Sequence, residues 1–257
     1  RGIRQIFRLL SIKRLGVKFP SSIRPNIVLL DLNDRCYQPE NSDIGETLCF
    51  ANWAVKHKTN IRMNGGIWAH VPQSQTRSIS DTVMRVGMPF PSLIGIRPNI
   101  MFICQSMLIT ILVLFRWVSF GWWAPILLSD AIEIIYLQHI SPERLAKSYW
   151  SNSNKYMDRA LWTRYLEHKG VDVCMTFLSI NQHFQWEKGK SPPNYHPGLR
   201  LLNWPRYMVW DKAHGEMINE VDCNNPKIEI VGPIPFEDNG KALPKLPRHT
   251  IAIFDVS

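Results

Sequence analysis

The sequence lacks most of the short motifs that identify an enzyme directly. It contains no CxxC pair, and its five cysteines are odd in number and widely scattered, which argues against a zinc knuckle and a disulfide framework. Neither GxGxxG nor the glycines of a Walker loop follow the first strand-like segment, so no dinucleotide or P-loop site is indicated there. No Ser-His-Asp arrangement, HExxH, DxD or paired metal-ligand spacing occurs. The sequence therefore predicts no metal and no resident cofactor, and it leaves the catalytic residues unknown.

Long apolar runs are also scarce. The mean hydropathy of −0.14 is too polar for a polytopic membrane protein. Residues 101–125 are the ambiguous segment, because a membrane span needs about 20 apolar residues and this one reaches that length only by including Arg116. Three interpretations stay open: a transmembrane span, a buried helix, or a helix half-sunk in a membrane surface.

Negative charge is missing from the first 24 residues, which carry seven of the basic residues and no acid. The net charge is +9, so the rest of the chain is nearly neutral, which argues against a nucleic-acid-binding body. Ile3, Ile6, Phe7 and Leu10 form one helical stripe. Such a basic amphipathic helix either docks on the body or lies on an anionic membrane surface.

The ends of the sequence suggest a fragment. The chain begins with Arg1, without a signal peptide, and we expect it to be cut at both ends.

The cysteine pattern fits a reducing compartment. We therefore expect a cytoplasmic protein that can attach peripherally to the inner face of the cytoplasmic membrane.

The first half of the body begins with a βαβ pattern. Residues 26–32 predict a buried strand. Asp43 is the predicted N-cap of the following helix, with Glu46 as its capping-box partner. Residues 60–64 predict the next strand. The proline-bearing stretch 67–100 predicts loops around one short helix at 80–86. An apolar helical insertion is expected at 101–128.

The second half alternates helices and strands more regularly. Residues 158–170 predict a helix that begins at Asp158 and ends at Gly170, and Asp211 caps another helix. Strands are predicted at 171–180, 206–211 and 227–232. The fold class is α/β: a Rossmann-like open parallel sheet flanked by helices.

The last residues predict a domain junction. Residues 237–257 read as a polar linker, stiffened by Pro244 and Pro247, and the first strand of a second α/β domain. The chain thus divides into a basic amphipathic segment (1–24), a Rossmann-like domain (25–236) and this junction (237–257).

Ligands of open parallel sheets bind beyond the carboxyl ends of the strands. Three strand tips there are rich in amides, hydroxyls or glycine, and two tryptophans lie near them. The predicted substrate-binding residues are Asn152, Ser153, Asn154, Arg159, Trp162, Ser179, Asn181, His183, Trp204, Gly232, Pro233 and Ile234.

Each of these residues also has a purely structural interpretation. The Asn and Ser residues can serve as caps and turns, and His183 can be an ordinary loop histidine. Gly232 permits either a tight turn or the close approach of a ligand. Trp162 and Trp204 can present a face to a sugar ring or pack in the core.

The order and spacing of six stretches resemble a known family. They are "SNSN", "RALWTRYLEHKG", "FLSIN", "NWPRYMVWD", "VGPIPF" and "IAIFDV". Together they resemble the GT-B glycosyltransferases, and more closely bacterial surface-polysaccharide biosynthesis proteins of that architecture. The resemblance covers roughly residues 145–257, and it departs from the family at Ala160 and Ile180, where proline and threonine are typical.

The resemblance implies the N-terminal, acceptor-side half of a two-domain glycosyltransferase, truncated at the start of its second domain. Such an enzyme transfers a sugar from a nucleotide-sugar donor, held by the C-terminal domain, to a cell-surface polysaccharide or lipid-linked glycan. The half alone is expected to be inactive. The alternatives are a GT-B-shaped sugar epimerase or polyol-phosphate transferase, and a non-catalytic membrane-associated scaffold of polysaccharide assembly.

Overall fold

The computed structural model describes residues 24–30, 32, 37–39, 46–58, 66–71, 77–121, 123–152, 159–177, 202–222 and 224–234. Within these residues the strands are β1 (Ile27–Leu30), β2 (Tyr37–Pro39), β3 (Glu46–Leu48), β4 (Ile67–His70), β5 (Arg77–Ser78), β6 (Val83–Val86), β7 (Ser148–Asn152), β8 (Asp172–Thr176), β9 (Arg206–Val209) and β10 (Lys227–Ile230). The helices are α1 (Cys49–His57), α2 (Ile96–Phe120), α3 (Trp123–Gln138), α4 (Leu161–His168) and α5 (Lys212–Val221), with one 3-10 turn at Pro142–Arg144.

One sheet organises the described residues. Its strand order is β10-β9-β8-β7-β1-β4-β6-β5, and every pairing in it is parallel except that of β5 with β6. The chain runs outwards from β1 through β4 to β6, returns to the other side of β1, and runs outwards again from β7 to β10. This is the order of a doubly wound Rossmann-like sheet, and it confirms the predicted fold class.

The central strands are buried on both faces, as expected for a parallel sheet covered by helices. Val28 and Leu30 face a core formed with α3, α4 and α5, and Ile27 and Leu29 face a second core formed with α1. All four residues of β1 are buried. The run of β-branched and leucine side chains at 26–32 therefore gave a correct strand prediction.

Strands β7 to β10 and the helices between them largely confirm the sequence patterns. The side chain of Asp211 caps α5 by accepting a 2.7 Å hydrogen bond from the backbone N–H of His214. Gly170 follows α4 with a φ of 76°, the left-handed conformation that ends many helices. Helix α4 is shorter than predicted: it begins at Leu161, and Ala160 gives no side-chain cap. The predicted cap, Asp158, lies outside the described residues.

The segment between β1 and β4 corrects one prediction. Glu46 opens strand β3, which pairs antiparallel with β2 in a separate two-stranded sheet, so it is not the capping-box partner of a helix; α1 begins at Cys49 instead. The strand that follows α1 and pairs parallel with β1 is β4, which comes after the glycines; the strand predicted at 60–64 lies outside the described residues.

The stretch 67–100 was wrongly predicted as loops. It contains β4, β5 and β6, and the short helix expected at 80–86 is replaced by strand β6, which pairs with β4. These strands are two to four residues long, too short for a hydrophobic period to register. Their hydrogen bonds to distant strands, rather than local propensity, decide their conformation.

The apolar segment forms a helical hairpin that is longer than the expected insertion. Helices α2 and α3 extend from Ile96 to Gln138 and are joined at Gly121, whose φ is 61°. Helix α3 packs on the sheet through Leu128, Ile132 and Tyr136, and α2 packs on α3. Helix α2 therefore forms an extra outer layer on this face of the domain.

Candidate functional site

The strand order places the expected ligand position at the carboxyl ends of β1 and β7. These neighbouring strands are where the chain changes direction across the sheet, since β1 leads to β4 on one side and β7 leads to β8 on the other. Connections that leave in opposite directions open a crevice at such a point. The candidate site is therefore the carboxyl edge around Leu30 of β1 and Asn152 of β7.

The ends of β7 and β8 supply polar groups at this edge. Asn152 is the last residue of β7 and lies opposite Thr176, the last residue of β8. The Thr176 hydroxyl donates a 3.0 Å hydrogen bond to the carbonyl oxygen of Ser151 and is buried. Ser151 itself is half-buried. Thr176 thus ties the two strand ends together, and Ser151 and Asn152 are the last two residues of β7 at this edge.

His70 lies at the same edge and was not among the predicted residues. It ends β4, the neighbour of β1 on the other side, and its carbonyl oxygen accepts a 3.0 Å hydrogen bond from the N–H of Leu32. Its imidazole is 5% exposed. The signal was the short run "IWAH" between Gly66 and Pro72, which the loop prediction for 67–100 concealed.

Arg159 is held by contacts within the domain. Its guanidinium donates to the carbonyl oxygen of Asn203, to Thr163 and to Glu167, and its side chain is only 5% exposed. It also stacks on Trp204, with 4.9 Å between the guanidinium carbon and the ring centroid. Arg159 joins the start of α4 to the segment before β9.

The two tryptophans pack in the core beside α4. Trp162 makes edge-to-face contacts with Phe90 and Tyr149 at centroid distances of 4.8 and 5.9 Å. Trp204 is buried, and its backbone N–H donates to the hydroxyl of Tyr207 at 3.0 Å. Of the two interpretations left open for these rings, core packing is the one observed.

The third predicted tip follows β10. Gly232 has a φ of 77°, and an added Cβ would meet nothing within 4 Å, so the backbone conformation alone requires glycine there. Pro233 is exposed, whereas Ile234 is buried in the core that contains α1. The tip therefore offers open backbone at Gly232 and Pro233.

Five predicted residues lie outside the described part of the chain. They are Ser153, Asn154, Ser179, Asn181 and His183. By sequence, the first two follow Asn152 and the other three follow β8, so they stay predictions for the same edge.

A cleft of about 640 Å³ lies at the opposite, amino edge of the sheet. A chain of hydrogen bonds crosses it: Trp150 donates to Ser148 at 2.7 Å, Ser148 donates to Asp172 at 2.5 Å, and Asp172 and Glu229 both accept from Arg206. Lys58 adds a 2.5 Å ion pair to Glu229.

The charges of this network hold one another in place. Partial burial works against ionisation of Glu229, but the hydrogen bond and charge of Lys58, together with Arg206, outweigh it and lower the pKa of that carboxyl. Burial works against the Arg206 cation too, yet the acidic groups around it raise the pKa of the guanidinium. Because the network pairs its charges and lies away from the carboxyl edge, we assign it to the cohesion of β7 to β10.

The described residues contain no group of three or more His, Cys, Asp or Glu side chains that could hold a metal ion. Cys174, in the middle of β8, is fully buried, and burial raises the pKa of its thiol well above the usual range. It is therefore an inert core residue and not a nucleophile.

Comparison with family models gives one match. Residues 106–257, more than half of the 257-residue chain, match the model described as polysaccharide biosynthesis PFTS motif protein. The chain belongs to this family. No curated protein and no solved structure matches. The matched region contains β7 to β10, and hence the β7 side of the candidate crevice, so the family assignment and the candidate site fall on the same half of the sheet.

Proposed function

We propose that this member of the polysaccharide biosynthesis family is the acceptor-side domain of a sugar transferase with GT-B architecture. The observation that carries the proposal is the doubly wound sheet, whose strand order favours a crevice between β1 and β7, in a chain that belongs to a polysaccharide biosynthesis family. A Rossmann-like domain of this kind supplies one wall of a cleft, and a second domain supplies the other. The acceptor is a growing glycan or a lipid-linked sugar.

The reaction requires little from this domain beyond binding and orientation. An acceptor hydroxyl oxygen forms a bond to the anomeric carbon of the donor sugar, and the bond from that carbon to the nucleotide's phosphate oxygen breaks. The hydroxyl proton passes to a general base, and the nucleotide leaves with the electron pair of the broken bond. Amides and hydroxyls such as those of Asn152 and Ser151 both donate and accept hydrogen bonds, which suits the hydroxyls of a sugar.

The donor is a substrate and not a resident cofactor. We place it on the second domain, whose first strand is the one predicted at the end of residues 237–257. The base is not assigned to a residue. His70, at the carboxyl end of β4, is one described imidazole at this edge and the first residue to test for that role.

The experiment is a donor screen on the full-length protein. Purified protein is incubated with nucleotide sugars and with a membrane extract as the source of acceptor, and the products are identified by mass spectrometry. A glycan extended by one sugar, together with the released nucleotide, supports the proposal. An altered nucleotide sugar or free sugar formed without acceptor indicates an epimerase, and a transferred polyol phosphate indicates that transferase. Loss of polysaccharide in a deletion strain without turnover of any donor indicates a scaffold.

A further inference from the structure

Helix α2 has two apolar faces, and the domain covers one of them. Its inner face packs on α3: Phe102 and Ser106 are fully buried, and Phe102 makes an edge-to-face contact with Tyr136 at 5.2 Å. Gln105 is fixed beside this face by a 2.8 Å hydrogen bond to His139. These contacts hold α2 lengthwise against the body.

The outer face of α2 is a continuous apolar stripe. Its members follow the helical period and are all exposed; they are Ile100, Met101, Cys104, Met107, Leu108, Ile111, Leu112 and Phe115. Phe115 is 81% exposed. At 1.5 Å per residue the outer stripe is about 22 Å long. Soluble monomers rarely leave so large an apolar surface uncovered.

In the described part of the chain, α2 is the helix that is long and apolar enough to cross a membrane. Its window Ile96–Arg116 has a mean hydropathy of 2.0, and 11% of it is buried. The low burial distinguishes α2 from the core helix of a soluble protein. A perpendicular span would require α2 to leave α3, exposing Phe102 and breaking the Gln105–His139 hydrogen bond. Immersing the outer stripe alone keeps every one of these contacts.

The charges at the ends of the outer stripe favour a lipid surface over a second copy of the chain. Arg97 and Arg116 are both exposed and flank the stripe, and no acidic residue occurs from 98 to 129. Parallel pairing of two copies would place each arginine next to the same arginine of the other copy, and antiparallel pairing would place Arg97 next to Arg116 of the other copy. Like charges meet in both cases, whereas anionic headgroups neutralise them.

Two further features of the sequence favour a lipid surface. Trp117, Trp122 and Trp123 follow the outer stripe, and tryptophan concentrates at the boundary between headgroups and acyl chains. The seven basic residues of the first 24 add a second attraction to anionic lipid.

We propose that the outer stripe of α2 lies in the plane of an anionic membrane leaflet and anchors the protein as a monotopic membrane protein. The apolar side chains enter the boundary of the acyl chains, and Arg97 and Arg116 extend to the headgroups. This anchor does not depend on the reaction proposed above. It does place the domain where a lipid-linked acceptor would be found.

The test uses Cys104, which lies within the outer stripe and is exposed. Cys49 and Cys174 are buried, so replacing Cys36, Cys223 and any cysteine of the full-length protein outside this sequence with serine directs an environment-sensitive dye to Cys104. The labelled full-length protein is mixed with phosphatidylcholine vesicles that contain or lack phosphatidylglycerol. We expect flotation and a blue shift with the anionic vesicles. A nitroxide at the headgroup end of the acyl chain should quench the dye more than one at the bilayer centre.

The matched variants separate the outer stripe from general hydrophobicity. Ile111→Asn, Leu112→Asn and Phe115→Asn combined should lower vesicle binding about tenfold or more, with an unchanged melting temperature because all three side chains are exposed. Val55→Asn, on α1 and 43% exposed, is the control and should bind like the unmodified protein.

Three results would overturn the proposal. One is equal binding by the combined variant and the control. Another is stronger quenching from the bilayer centre, which would make α2 a span. The third is that the unmodified protein is a dimer in the absence of lipid, does not float with vesicles, and becomes a monomer in the combined variant. That result would assign the outer stripe to contact with a second copy.

Discussion

Phe102 and Phe115 lie on opposite faces of helix α2: Phe102 is fully buried against Tyr136, and Phe115 is 81% exposed. The two phenylalanines thus have different roles in one helix. Phe102→Ala should lower the free energy of unfolding by about 3–5 kcal/mol, because it leaves a cavity between α2 and α3. Phe115→Ala should change it by less than about 0.5 kcal/mol. Thermal unfolding of both variants measures the difference, and equal losses would show that the exposed ring packs on the body.

Tyr207 joins β9 to the end of α5 through its hydroxyl. That hydroxyl donates a 2.6 Å hydrogen bond to Asp222 and accepts one from the backbone N–H of Trp204. Tyr207→Phe should destabilise the domain by about 1–3 kcal/mol, because the carboxylate of Asp222 is 2% exposed and loses a partner. Tyr165→Phe, on a partly exposed ring, is the control and should stay within about 0.5 kcal/mol. Denaturant unfolding compares the two, and an unchanged midpoint for Tyr207→Phe would mean that water replaces the lost bond.

The network at the amino edge predicts a dependence of stability on acidic pH. The pKa of Glu229 in the folded protein lies below its ordinary value of 4.5, so its ion pairs with Lys58 and Arg206 stabilise the fold fully above that value. This stabilisation disappears as the pH falls through the lower, folded-state pKa. Glu229→Gln should therefore unfold at a lower temperature than the unmodified protein at neutral pH, and the difference should shrink in acid.

Glu216→Gln is the comparison for this prediction. Glu216 forms an exposed 3.4 Å pair with Lys212 on α5, and exposed pairs contribute little. Its melting temperature should follow that of the unmodified protein at every pH. A constant difference between Glu229→Gln and the unmodified protein across the pH range would contradict the role assigned to Glu229.

The carboxyl edge can be tested with three asparagines. Asn152→Ala, Asn154→Ala and Asn181→Ala in the full-length protein should each lower sugar transfer and leave the melting temperature nearly unchanged. An asparagine that only caps a helix would instead cost about 0.5–2 kcal/mol of stability. Lys227→Ala, at the amino edge, is the matched control and should transfer normally. Normal turnover by all three variants, or activity that falls only with stability, would remove these residues from the site.

Sequence patterns predicted the elements that local chemistry determines. The apolar run of β1 and the Asp211 cap of α5 carry their own signals within a few residues. The same reasoning failed where pairing between strands decides the conformation. Glu46 has a capping-box spacing, but pairing of β3 with β2 decides its conformation, and the short strands β4 and β6 are defined by their neighbours in the sheet.

The edge of the sheet that holds the candidate site could be predicted from the sequence, but the contacts of its residues could not. Parallel strands put their carboxyl ends together, so Asn152 and Gly232 could be assigned to that edge from the sequence. The partners of Arg159 could not, because the carbonyl of Asn203 reaches it from a different part of the chain. Helix α2 is apolar on both faces, so its hydrophobic period could not separate the face that packs on α3 from the exposed one.

Acceptor-dependent turnover of a nucleotide sugar tests the central claim most directly. The full-length protein is supplied with each donor, with and without the membrane extract, and released nucleotide is counted against sugar incorporated into glycan. We predict equal amounts of the two, only when acceptor is present, with Lys227→Ala behaving like the unmodified protein and Asn152→Ala reduced. Absence of turnover with every donor, while the protein is still required for polysaccharide in cells, would contradict a sugar transferase and leave a scaffold.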